Sequence, residues 1–144
     1  MTVQKPNLDP LISAPDSNEY FNSISHLIGA ILSISALTVL VSLAAIAGKP
    51  IHVVGFAIYG VSLFLSFLFS CLLHFFLLFG KYLRIFGILD HNAIYILIAG
   101  TYTPICRLGL PDAVGGRLLV LIWIAAALGV LQSIFWVHAP KPVT

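Results

Sequence analysis

Ser70 and His74 stand four residues apart, and Asp90 follows beyond a short break at Gly80-Lys81. An imidazole exchanges protons near neutral pH, a carboxylate accepts them, and both bind zinc, so the trio suits acid–base or metal-assisted hydrolysis. Upstream, Glu19, Asn22 and His26 follow a three-then-four spacing. That spacing makes one stripe of a helix, provided the helix begins that early. His52, His91 and His138 read as residues of a membrane interface. Cys71, three residues before His74, reads either as a thiolate ligand or as a small packing group.

These residues are carried by an unusually apolar chain. Of 144 residues, 60% are hydrophobic and 8% charged, against about 25% charged in a soluble domain. A soluble fold of this size cannot hide so much apolar surface, so lipid must be the solvent. The formal net charge is +2, and the lysines and arginines are scattered singly, which argues against a nucleic-acid partner. Residues 1–21 are polar, carry three prolines and lack the apolar core of a signal peptide.

A membrane-crossing helix needs about 20 predominantly apolar residues. The gaps between charges supply four such runs, predicting spans over residues 24–48, 52–79, 86–107 and 117–137 within a transmembrane domain of 22–138, then a short tail at 139–144. The breaks hold turn residues: Gly48-Lys49-Pro50, Gly80-Lys81 and Gly109 through Gly116. The runs are continuous rather than alternating, and backbone groups in lipid must pair internally, so helices are expected. The fold class is all-α: an integral membrane bundle of four helices. Ser25, Gly29 and Ser33 recur every fourth residue on the first span, a spacing that either admits a neighbouring helix closely or simply faces lipid. Cys71 and Cys106 fall toward opposite membrane surfaces, roughly 20 Å apart in depth, which predicts no disulfide.

Four spans put both termini on one side, together with Lys5, Lys81, Arg84 and Lys141; Lys49, Arg107 and Arg117 lie on the other. The positive-inside rule then favours cytoplasmic termini. With Tyr82 as the midpoint of the second turn, His74 lies eight residues before it and Asp90 eight after. Both would then sit at one depth, roughly 12 Å in from the turn. The first span begins on that side with His26. Ionisable residues inside a span are costly and point to function. Structural readings stand beside the functional one: interfacial capping for Glu19 and His26, a satisfied core imidazole for His74, and pairing of Asp90 with His74 or Arg84.

The same residues resemble a known pattern. Glu19-Tyr-Phe-Asn22-Ser-Ile-Ser-His26 looks like the start of the first helix in the hemolysin III family, the bacterial branch of the progestin and adiponectin receptor superfamily. Ser70-Cys-Leu-Leu-His74 resembles its serine-x-x-x-histidine motif, and the stretch from Arg84 through Asp90-His91 to Gly100-Thr-Tyr-Thr-Pro104 resembles its third helix. The resemblance runs from about residue 17 to the end. It implies a seven-helix fold with a zinc site near the cytoplasmic ends of the helices. His74 would match the second-helix zinc ligand and Asp90 the third-helix carboxylate contacting the metal-bound water. Ser70 would support that site, and Glu19, Asn22 and His26 would match the first-helix motif. Relation to ceramidase-like proteins implies metal-assisted hydrolysis of a lipid amide, whereas the family name implies cytolytic, pore-forming behaviour.

One departure is large. The family's other zinc ligands form a histidine-x-x-x-histidine motif on the seventh helix, and no two histidines here are spaced by four. The chain thus reads as the first four helices of the family fold, from a truncated gene, a frameshift or a fragment, or as a true short form. The resulting expectations are zinc bound weakly or not at all, membrane lipids as partners and self-association through the face left open. The expected location is the bacterial plasma membrane.

Overall fold

The structure, a computed structural model, describes residues 17–136. His138, the first sixteen residues and the tail lie outside the described residues. Each apolar run forms one helix: α1 over Ser17–Ile46, α2 over Pro50–Leu77, α3 over Leu83–Leu108 and α4 over Asp112–Trp136. All four are long and apolar enough to cross a membrane, and no strand occurs among the described residues. Helix α1 takes in residues 17–21, which the sequence reading gave to the polar lead. Glu19 lies in its first turn, where a carboxylate complements the positive end of the helix dipole. Gly48 and Gly80, at φ 65° and 62°, supply the left-handed residues that end the first two helices.

The helices stand in chain order as a row. α1 packs on α2, α2 on α3 and α3 on α4, and no other pair touches among the described residues. The row buries small groups and presents large ones outward. Its largest fully buried side chains are Cys106 and Ser33, while Ile46, Phe21 and Phe135 are among the most exposed. In lipid this is the expected polarity, because association gains nothing from hiding leucine from hydrocarbon and depends on close packing. Both cysteines are buried and free.

Small residues set each seam. On α1, Ser23, Ala30, Leu37 and Ala44 recur every seventh residue; Leu37 meets Gly60 of α2, and the other three are buried. A Cβ on Gly29 would lie 2.5 Å from Phe67 Cδ1, so that glycine makes room for the ring. Of the small-residue stripe, Ser33 is also buried, whereas Ser25 faces outward and donates to the Asn22 carbonyl at 2.9 Å. Gly100 receives Ser62 at the α2–α3 seam, and Gly129 receives Tyr95 at the α3–α4 seam. Trp123 Nε1 donates to Thr103 Oγ1 at 3.2 Å, tying α4 to α3. Pro104 sits inside α3, which lipid-buried helices tolerate when neighbours cover the interruption; here Gly55 of α2 packs against it.

Candidate functional site

The α1 packing stripe extends into the first turns of that helix, and there it becomes polar. Glu19 lies four residues before Ser23, and His26 three after it. All three therefore face α2 for the same reason that Ala30 and Leu37 do. On α2, Ser70 and His74 occupy successive turns of one face. On α3, Asp90 lies two turns into the helix from its start at Leu83. These side chains meet at the end of the molecule where α2 turns into α3.

Two contacts organise the meeting. His74 Nδ1 lies 2.6 Å from Glu19 Oε2, an ion pair or charge-assisted hydrogen bond between α2 and α1. Ser70 Oγ donates to Asp90 Oδ1, joining α2 to α3. His26 stacks on His74 with ring centroids 5.3 Å apart and planes within 4° of parallel. Phe67 packs against the His26 ring at 6.1 Å. Beneath them, Ser23 Oγ donates to the Cys71 carbonyl at 3.4 Å and lies 3.7 Å from its Sγ. Asn22 is half-buried and joins through its main chain, whose carbonyl accepts from Ser25.

The placement differs in detail from that expected. Asp90 is held by Ser70, and His74 by Glu19, and no hydrogen bond or ion pair joins His74 to Asp90 among the described residues. The reason lies in the turn. Tyr82 is the N-cap of α3 with left-handed backbone (φ 57°, ψ 15°), and its ring packs edge-on against Phe76 at 5.7 Å. It therefore belongs to α3's start and not to the centre of the turn. Ser70 and Asp90 are equidistant from Gly80, and the stacked pair Phe76 and Phe86, 4.5 Å between centroids, is equidistant from Lys81, so both pairs centre the turn before Tyr82.

Of the remaining candidates, His91 and His52 lie apart from these contacts. His91 is exposed, with Nε2 3.4 Å from Tyr95 Oη on its own helix. His52 sits at the opposite end, edge-on to Phe56 at 6.0 Å. Cys71 is buried at the α1–α2 seam. Ser23 and Phe67 escaped the sequence reading, although Ser23 shares the stripe of Glu19 and His26 and was legible there. Asn92 also escaped it. It is 8% exposed, and its Oδ1 lacks a hydrogen-bond partner among the described residues.

Chemically, a carboxylate against Nδ1 orients an imidazole and, when the ring is neutral, leaves the lone pair on Nε2. A hydroxyl donating to a carboxylate stabilises its ionised form. The cluster thus holds two proton-accepting groups in fixed orientation. A catalytic zinc needs about three protein ligands. Among the described residues no group of three or more His, Cys, Asp or Glu is placed to hold a metal ion, so the donors present do not fit a complete zinc centre.

Comparison with known proteins agrees with the motifs. The family model described as "Haemolysin-III related" matches residues 16–144. Hemolysin-3 of Bacillus cereus is 50% identical over 120 residues, covering 83% of this chain and 54% of that protein. The Hemolysin-3 homolog of Bacillus subtilis (strain 168) is 45% identical over 119 residues, covering 83% of this chain and 55% of that protein. The chain spans about half the length of these relatives. No solved structure matches it significantly. With its motifs, its membrane-length helices and a family match over nearly its whole length, the chain belongs to the haemolysin-III-related family of membrane proteins.

Proposed function

We propose that this protein carries the acid–base part of a membrane-embedded hydrolase acting on a lipid amide, with a metal site that its described residues leave incomplete. The observation that carries this reading is the convergence of Glu19, His26, Ser70, His74 and Asp90 from three helices at one end of the spans. Ionisable side chains at membrane depth are costly unless they serve a pathway or a reaction. Asp90, held by Ser70, is the proton acceptor. His74, oriented by Glu19, is the group that presents a ring nitrogen, and Asn22 and His26 support it. Zinc is the metal suited to an imidazole–carboxylate set, and we expect this chain alone to bind it weakly. The termini lie on the cytoplasmic face of a bacterial plasma membrane in this reading, following the positive-inside rule.

The test is fatty-acid release from a ceramide in vesicles containing the purified chain, with zinc supplied in enough excess to load a weak, incomplete site. Zinc-dependent release that falls at least about tenfold in Asp90→Asn, within the usual range for one acid–base group, supports the reading. Absence of release, or release unchanged in Asp90→Asn, overturns it. Zinc content measured after equilibrium dialysis checks the metal separately. Stoichiometric zinc that is lost in His74→Ala would contradict an incomplete site.

The name of the two relatives favours a second reading, a membrane-perturbing protein without catalysis. A pore former would want a polar stripe along a whole helix, whereas the ionisable side chains here are gathered toward the ends of the spans. Vesicle leakage caused by the chain and undiminished in Asp90→Ala would support this alternative.

A further inference from the structure

The end of the molecule opposite the polar cluster carries Lys49, Arg107 and Arg117 and one carboxylate, Asp112. Two of these cations converge. Lys49 ends the α1–α2 turn, Arg107 lies in the last turn of α3, and with His52 they line one cleft of about 360 Å³ walled by Pro50, Ile51 and Leu108. A second cleft of about 290 Å³ shares Pro50, Ile51 and Arg107 and continues along Val54, Gly55 and Thr103. The two together form one groove: cationic at the membrane-surface end, apolar further in. Among the described residues, neither Lys49 nor Arg107 has a carboxylate within ion-pairing distance. The groove also begins at the N-terminus of α2, where no side chain caps the helix. Its first amides and dipole add positive potential there.

Such a groove has the shape and charge of an amphiphile with an anionic head. A soluble anion would use the cations but not the apolar continuation along Ile51 and Val54, which are 53% and 59% exposed. A zwitterionic lipid would use the apolar wall but place its own cation beside Lys49 and Arg107. We propose that this groove binds an anionic phospholipid, with its phosphate between Lys49 and Arg107, His52 donating to it, and one acyl chain along Ile51 and Val54. Basic pockets between membrane helices hold anionic head groups by this combination. The site is separate from the polar cluster, and its occupancy does not depend on any chemistry there.

The experiment is native mass spectrometry of the full chain, delipidated in detergent and then offered phosphatidylglycerol or phosphatidylcholine. Wild type should retain phosphatidylglycerol about tenfold better, the order expected from two surface cations acting on one anionic lipid. The double variant Lys49→Gln, Arg107→Gln should lose the preference, whereas Lys49→Arg, Arg107→Lys should keep it. The distant pair Lys81→Gln, Arg84→Gln should also keep it. Millimolar inorganic phosphate should not displace the lipid. The proposal is overturned by equal retention of the two lipids, or by a preference that survives the double glutamine variant. It is equally overturned if the charge-conserving variant loses the preference, or if inorganic phosphate alone displaces the lipid, which would make the groove a site for a free anion.

Discussion

At the end where α2 turns into α3, the polar side chains find each other across helices: Glu19 meets His74, and Ser70 meets Asp90. At the opposite end Lys49, His52 and Arg107 face a groove, and the two fixed cations have no carboxylate partner among the described residues. The first end pairs the side chains of its cluster within the protein, which orders three helices and fixes the orientation of an imidazole and an acid. The second leaves its charges for something outside. In a row of helices that buries only small side chains, internal polar pairs are among the few directional contacts that hold one helix to the next. Their removal should therefore be felt in stability, whereas removal of the outward cations should be felt in lipid association.

The contrast can be broken most forcefully at the seams. Gly29→Leu, which drives a branched side chain into Phe67 beneath His26, is expected to destabilise the protein by about 3 kcal/mol in denaturant titrations in detergent. Gly55→Ala near the other end should change stability by less than about 0.5 kcal/mol, because its Cβ would meet Pro104 at an ordinary 3.4 Å. Equal costs at the two positions would remove the distinction between the ends.

Ser70→Ala deprives the Asp90 carboxylate of its donor and should cost about 2 kcal/mol in the same titration. Ser70→Thr, which keeps the hydroxyl, should recover most of it. A smaller effect, about 1 kcal/mol, is expected for Glu19→Gln, since Glu19 and His74 are each about a quarter exposed (24% and 22%) and the pair is partly screened. Lys49→Gln should fall within about 0.5 kcal/mol of wild type. A cost above 1 kcal/mol there would mean that the basic end is also held by internal pairing.

Much of this was legible in the sequence, and what was not has physical causes. The four helices are bounded by charges and turn glycines, and those signals do not depend on tertiary context. The stripe of Glu19, Asn22 and His26 was legible conditionally, and α1 does begin early enough, at Ser17. Counting residues along the hairpin puts His74 level with Asp90, whereas in the structure Ser70 is the side chain that meets Asp90. Which of them pair did not follow, because Tyr82 is absorbed into the start of α3 and the turn centres on Gly80 and Lys81. The row arrangement was equally hidden. A helix apolar on all sides gives no face that announces its neighbour, and the contacts made by Phe67 and Tyr95 depend on glycines of adjacent helices. The groove at Lys49 and Arg107 joins residues far apart in sequence, so only the packing of α2 on α3 reveals it.

The acid–base cluster exists only if α2 and α3 present Ser70 and Asp90 to each other. Disulfide trapping in native membranes tests this directly, using Ser70→Cys with Asp90→Cys in a background where Cys71 and Cys106 are replaced by alanine. The geometry predicts ready oxidation to an intramolecular disulfide. The control pair, Ser70→Cys with His91→Cys, should stay reduced, because His91 is exposed on another side of α3. A reduced test pair beside an oxidised control would mean that Asp90 faces away from α2, and the proposed acid–base cluster would not exist.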